Sequence, residues 1–110
     1  MEYIHREDMQ VAALPGRGLQ RAVGKNSVIT SERMSVGFAR YDTRFGPMEP
    51  HHHAEETVLI LDAENGWVRY GKEKDQLGER IELKKGMILH FPELEWHVFE
   101  YDTNGFVDIA

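Results

Sequence analysis

The chain reads as all-β, a sandwich or a barrel of roughly eight or nine short strands. Three observations lead there. Apolar and polar residues alternate over short runs, as in SVGFARYDT (35–43) and ERIEL (79–83). Turn-forming residues punctuate those runs at close intervals: Gly24-Lys25-Asn26, DAENG (62–66), Lys84-Lys85-Gly86 and DTNG (102–105). After residue 15 no segment sustains a helical period.

Taken in order, residues 1–16 form an N-terminal arm of mixed charge, loose or with a short helix over Val11 to Leu14. Pro15-Gly16 ends it, because proline cannot continue a helix and glycine permits the turn. GLQRAV (18–23) alternates loosely, and Val28 to Thr30 is a further short strand. In the run 35–43, Val36, Phe38 and Arg40 share one face, and Gly37, Ala39 and Tyr41 the other. Thr57 to Leu61 is a continuous apolar run, read as a buried strand; Asp62 to Gly66 is a hairpin signal and WVRY the return strand. GKEKDQLG (71–78) is a solvated loop. MILHF (87–91) is broken by Pro92, WHVFEY (96–101) alternates, DTNG turns again, and FVDIA closes the chain.

At 110 residues the chain suits one domain, 1–110, with a modest core. A hydrophobic fraction of 41% argues against disorder. The net charge is −6 and the basic residues are scattered, so nucleic acid is not an expected partner. No cysteine is present, which excludes disulfides and thiolate metal sites and fits a reducing compartment. The first residues, MEYIHREDMQ, are too polar for a secretory leader, and no apolar run approaches membrane-spanning length. The expectation is a soluble, cytoplasmic protein with no membrane partner.

The chemistry concentrates in GPMEPHHHAEE (46–56), where five candidate metal ligands occupy six positions. Neutral imidazole is the commonest ligand for transition metals, and a carboxylate supplies the hard anionic partner. In extended chain His51 and His53 point together and His52 points away. Further ligands must come from elsewhere, and His97, in PELEWHVFE, is the best donor. Neighbouring strands of a small barrel would bring it to the cluster. Glu56 is preferred over Glu55 by its place against TVLIL. The residues alone leave open whether His52 replaces His51 or His53, and whether Glu55 replaces Glu56. Glu55 is also a candidate catalytic base. Imidazoles with one carboxylate suit iron, manganese, nickel, zinc or cobalt as the divalent cofactor. Because ligating histidines must be neutral, metal affinity should fall below about pH 6. His90 and His5 read as structural or exposed, Trp96, Phe99, Phe38 and Tyr41 as core or pocket wall, and Arg40 and Arg44 as exposed, with steering of an anionic substrate as the alternative.

These residues resemble the cupin superfamily, specifically a small single-domain cupin. Gly46, His51, His53, Glu56 and the strand TVLILDAENG stand where that family's first motif has them. Gly86, Pro92 and His97 match its second motif at the family's spacing, so that residues 35–101 carry the likeness. The chain departs in four places. The gap from His53 to Glu56 is short by one residue, Ala63 and Leu94 replace glycines, and Tyr101 stands where an asparagine is sometimes found. The resemblance implies a jelly-roll β-barrel and a metal held by His51, His53, Glu56 and His97. It also implies an enzyme acting on a small polar metabolite, of isomerase, lyase, epimerase or dioxygenase type. The alternative is a non-catalytic small-ligand or sugar-binding protein with a structural metal or none. Small members pair through their strands, so a homodimer is expected.

Overall fold

The structure, a computed structural model, describes residues 1–110. Eight strands form: β1 (Ala12–Leu14), β2 (Arg17–Gly24), β3 (Ile29–Thr30), β4 (Val36–Tyr41), β5 (Glu56–Gly71), β6 (Ile81–Glu82), β7 (Ile88–Phe91) and β8 (Trp96–Ile109). Single 3-10 turns sit at Arg6–Asp8 and Thr43–Phe45. The pairing order is β1-β2-β4-β8-β5-β6, with β3 beside β2 and β7 beside β5. Every pairing is antiparallel except that of β2 with β3. The path has open ends at β1 and β6, so the sheet is all-β but is not closed into the expected barrel.

The hairpin expected at DAENG and the turn expected at DTNG are both absent, for one shared reason. DAENG does not reverse the chain, and β5 runs on through it for 16 residues. DTNG likewise lies inside the 14-residue β8. The two segments face each other. Between the pairs Glu64↔Phe106 and Gly66↔Tyr101, residues 102–105 lie opposite Asn65 alone, a bulge with three extra residues on β8. A Cβ on Gly105 would lie 2.5 Å from the Asn65 carbonyl oxygen, so glycine is there for close backbone approach. Asn65 takes the left-handed conformation (φ 47°) that its short polar side chain tolerates. Turn-type residues thus serve a bulge within a long strand pair.

The short helix entertained at Val11 to Leu14 is also replaced. Residues 12–14 pair with β2, and the turn at Pro15-Gly16 makes a hairpin. Ahead of it, Arg6 straps the arm to the sheet with two hydrogen bonds to Asp108 (2.8 and 2.7 Å), and Gln20 donates to the Met9 carbonyl at 3.0 Å.

The core lies on the inward faces of β4, β5, β7 and β8, with Met48 and Leu83 added from connecting segments. On β5, alternation places its members. Val58 and Ile60 are buried while Thr57 and Leu59 face out, so TVLIL is buried on one face only. Phe99, fully buried, packs its ring 5.0 Å from Tyr41 and 6.3 Å from Phe91. Burying a side chain of that size contributes about 1.5–3 kcal/mol. No helix is long and apolar enough to cross a membrane.

Candidate metal centre

Local chain geometry brings three histidines together. Pro92 ends β7, and the tight turn after it closes with the Glu95 amide donating to the Pro92 carbonyl at 3.2 Å. β8 then begins, with Tyr70 opposite His97 on one side and His51 opposite it on the other. His51 and His97 exchange both backbone hydrogen bonds, at 3.0 and 2.9 Å, so their side chains leave the same face. The Leu94 amide donates to the His53 carbonyl at 2.9 Å and extends this short ladder. Leu94 stands in the left-handed region (φ 64°), the conformation for which the resembled motif has glycine.

The rings of His51 and His97 lie 4.6 Å apart between centroids, and those of His51 and His53 4.7 Å apart. One ring nitrogen from each of His51, His53 and His97 falls within 4.8 Å of the other two, a grouping that could hold a metal ion. His52 turns to the other face and meets the edge of Trp96 at 4.4 Å. Glu56 opens β5 and reaches into the same space. Its Oε2 lies 3.3 Å from His53 Nε2 and 3.6 Å from His97 Nε2.

The hydrogen bonds fix which nitrogens are available. His97 Nδ1 donates to the Glu95 carbonyl at 3.1 Å, and His51 Nδ1 to the Glu49 carbonyl at 3.3 Å. Each imidazole thereby carries its proton on Nδ1 and presents a lone pair on Nε2, the arrangement that orients ligating histidines in metal proteins. Phe91 lies flat on His97, 3.9 Å between centroids and 14° between planes, and holds that ring in place. These supports were not named from the sequence. The recurrence of a glutamate two residues before each histidine is their only trace in it.

Burial sets the electrostatics. It pulls His51 down to about 4, with the neighbouring His97 adding to the effect, and it lowers His97 as well. Both rings are therefore neutral near pH 7 and free to ligate. Burial raises the Glu56 carboxyl, with His53 acting in the opposite direction. Glu56 Oε2 and His97 Nε2 are fully buried and have no hydrogen-bond partner. An acceptor facing a lone pair across 3.6 Å is a costly arrangement in a protein alone, and a shared cation resolves it. The residues present fit a divalent ion on this count. Two ligands of one ion at about 2.1 Å lie about 3–4 Å apart, so the widest imidazole separation requires one ring to swing inward. His53, 52% exposed, is the one with room to do so.

The other candidates are placed elsewhere. The Glu55 carboxylate meets His90 Nε2 at 2.9 Å, and both side chains are more than half exposed. Arg40 and Arg44 are both held by Asp42, at 3.1 and 2.8 Å. The single Tyr101 hydroxyl proton is shared between the Gly46 and Asp42 carbonyls, 2.6 and 2.9 Å from its oxygen, which secures the loop leading to the histidines.

No family profile matches the chain, and no curated protein is similar to it in sequence. Among solved structures it is similar to the polyketide cyclase RemF from Streptomyces resistomycificus, with a TM-score of 0.73 at 19% identity over 99% of this chain and 75% of that one. It is also similar to the hydroxypropylphosphonic acid epoxidase from S. wedmorenis, with a TM-score of 0.69 at 11% identity over 100% of this chain and 59% of that one. A complex of the Fe(II) form of HppE with substrate gives 0.68 at 10% identity, over 100% of this chain and 60% of that one. The chain thus spans three-quarters of the cyclase and about 60% of the epoxidase. The cyclase and HppE are cupin-fold proteins, and at these identities the likeness is one of fold. In fold, the chain resembles a small single-domain cupin.

Proposed function

We propose that the chain binds one divalent transition metal through His51, His53, Glu56 and His97 and acts as an enzyme on a small polar metabolite. The observation that carries this reading is the orphaned pair of buried atoms, Glu56 Oε2 and His97 Nε2, turned toward each other beside two further imidazoles. A metal at that point would polarise a carbonyl or enediol oxygen, or acidify a water. The protein's share is to keep Nε2 of His51 and His97 unprotonated through the two carbonyl hydrogen bonds, and to exclude water from His97 by stacking it on Phe91. Iron, manganese, nickel, zinc and cobalt all suit this donor set, and an isomerase, lyase, epimerase or dioxygenase reaction would each draw on it. The sheet is read here as the rolled jelly roll of the cupin fold, in a single domain, 1–110, that pairs as a cytoplasmic homodimer.

Metal analysis of protein purified without a tag tests this. One equivalent of metal is expected, lost on His97→Ala and on His51→Ala; full occupancy in both variants sinks the assignment.

One observation favours a second reading, a non-catalytic small-ligand or sugar-binding protein. Glu55, the candidate base, is engaged by His90. Turnover of the metal-loaded protein with a panel of sugars and catechols separates the two. Conversion of any substrate, lost on Glu55→Gln, would restore Glu55 as the base.

A further inference from the structure

Four arginines of the chain are half-buried, and three of them are matched to a carboxylate. Arg6 holds Asp108 at 2.7 Å, Arg40 holds Asp42 at 3.1 Å and Arg69 holds Glu100 at 2.6 Å. Arg17 is the fourth, and no carboxylate lies within ion-pair distance of it. Arg17 is the exception in a chain with 19 acidic residues against 13 basic ones. A half-desolvated guanidinium without an anion is costly, and its planar fork suits an oxyanion held by two hydrogen bonds.

The position of Arg17 shows where that anion would come from. Leu19 and Ala39 are paired across β2 and β4 and pack on the core. Arg17 and Tyr41 lie two residues further along each strand, one step beyond the pair Gly18↔Arg40, and so share that inward face. Gly16, next to Arg17, packs so closely on the segment entering the histidine cluster that a Cβ there would lie 2.8 Å from Met48 Cα. Burial raises the Tyr41 hydroxyl and lowers His51, and within those shifts the Arg17 charge acts on both groups in the downward direction, so it is close enough to be felt at each.

We infer that Arg17, with Tyr41 on the same face of the neighbouring strand, is the anion-binding post of this site and seats an oxyanion group, carboxylate or phosphate, of the molecule that the metal holds at its other end. The inference rests on the metal reading above and narrows the substrate to small anions. Removing Arg17 removes the countercharge without touching a metal ligand.

The test uses the Co(II)-loaded full chain, with inorganic phosphate and malonate as probes, in the wild type, Arg17→Gln, Arg17→Lys and Tyr41→Phe. Co(II) affinity is read first, by visible absorption, and anion affinity second, by calorimetry. All four proteins should bind Co(II) alike. At least one probe should bind the wild type, with affinity down 10-fold or more in Arg17→Gln, partly kept in Arg17→Lys, and down severalfold in Tyr41→Phe. Whichever probe is preferred distinguishes a carboxylate from a phosphate substrate. Equal anion binding in wild type and Arg17→Gln, or none in the wild type, overturns the inference and leaves the metal reading intact. Failure of the wild type to take up Co(II) overturns both. Arg17→Lys and Tyr41→Phe keep the test decisive should Arg17→Gln not fold.

Discussion

Two half-buried polar clusters of this molecule are built on opposite rules. At the arm, Arg6 matches both oxygens of Asp108 and also donates to Gln20, whose amide in turn donates to the Arg6 and Met9 carbonyls. At the histidine cluster, Glu56 Oε2 and His97 Nε2 lie 3.6 Å apart, both buried and neither with a hydrogen-bond partner. The first is what a chain does when a polar group has only to be buried, because an unmatched one costs about 1–3 kcal/mol. The second keeps ligand atoms open, which is what a site needs and what stability alone would remove.

The comparison breaks most readily at the matched side. Arg6→Ala should cost about 2 kcal/mol in urea unfolding, because Asp108, 13% exposed, loses both its donors. A change under about 0.5 kcal/mol, the usual bound for surface substitutions, would show that the pair is ornamental.

Acid acts on the second matched group. The Arg44 hydrogen bonds hold the Asp42 carboxyl down at about 2, against an ordinary 3.8. A depressed carboxyl stabilises the fold fully above its unfolded value and loses that contribution as pH falls through the folded one. Stability should therefore drop by roughly 1 kcal/mol between pH 4 and pH 2, with allowance made for screening at the exposed Arg44. Asp42→Asn should lack that component. An identical acid slope in the variant contradicts the assignment.

Leu94 is the strained counterpart on the open side. Its φ of 64° is unfavourable for a side-chain-bearing residue, and its side chain is largely exposed. Leu94→Gly should stabilise the protein by up to about 1 kcal/mol, read as a higher melting temperature; a lower one would mean that the leucine packs usefully.

The smallest effect is the sharpest in sign. Glu56→Gln replaces a desolvated carboxylate with a neutral amide, so the metal-free protein should be unchanged or more stable by under about 1 kcal/mol. Clear destabilisation would show that the carboxylate is there to hold the fold.

The sequence was most legible where one residue per position decides the outcome. Period-two alternation sends His51 and His53 one way and His52 the other, and the run from Gly86 through Pro92 to His97 marks where a strand stops and the next begins. It was least legible at Asp62–Gly66 and Asp102–Gly105, because a bulge in a paired strand and a chain reversal call for the same residues. Length was the missing information, since only the partner strand shows that the chain continues. Arg17 gave no signal: Arg40 and Arg44 share a carboxylate two residues away, Asp42, whereas whether Arg17 meets one depends on its neighbours across the sheet. The strand pattern left sandwich and barrel both open and the resemblance implied the barrel, whereas the strand pairing leaves the sheet open at β1 and β6.

Anomalous scattering from crystals of the metal-loaded protein tests the central claim most directly. One ion is expected, with His51, His53 and His97 nitrogens and a Glu56 oxygen at about 2.0–2.2 Å, the range for such ligands. An ion bound elsewhere, or one that leaves His97 Nε2 unligated, would contradict it.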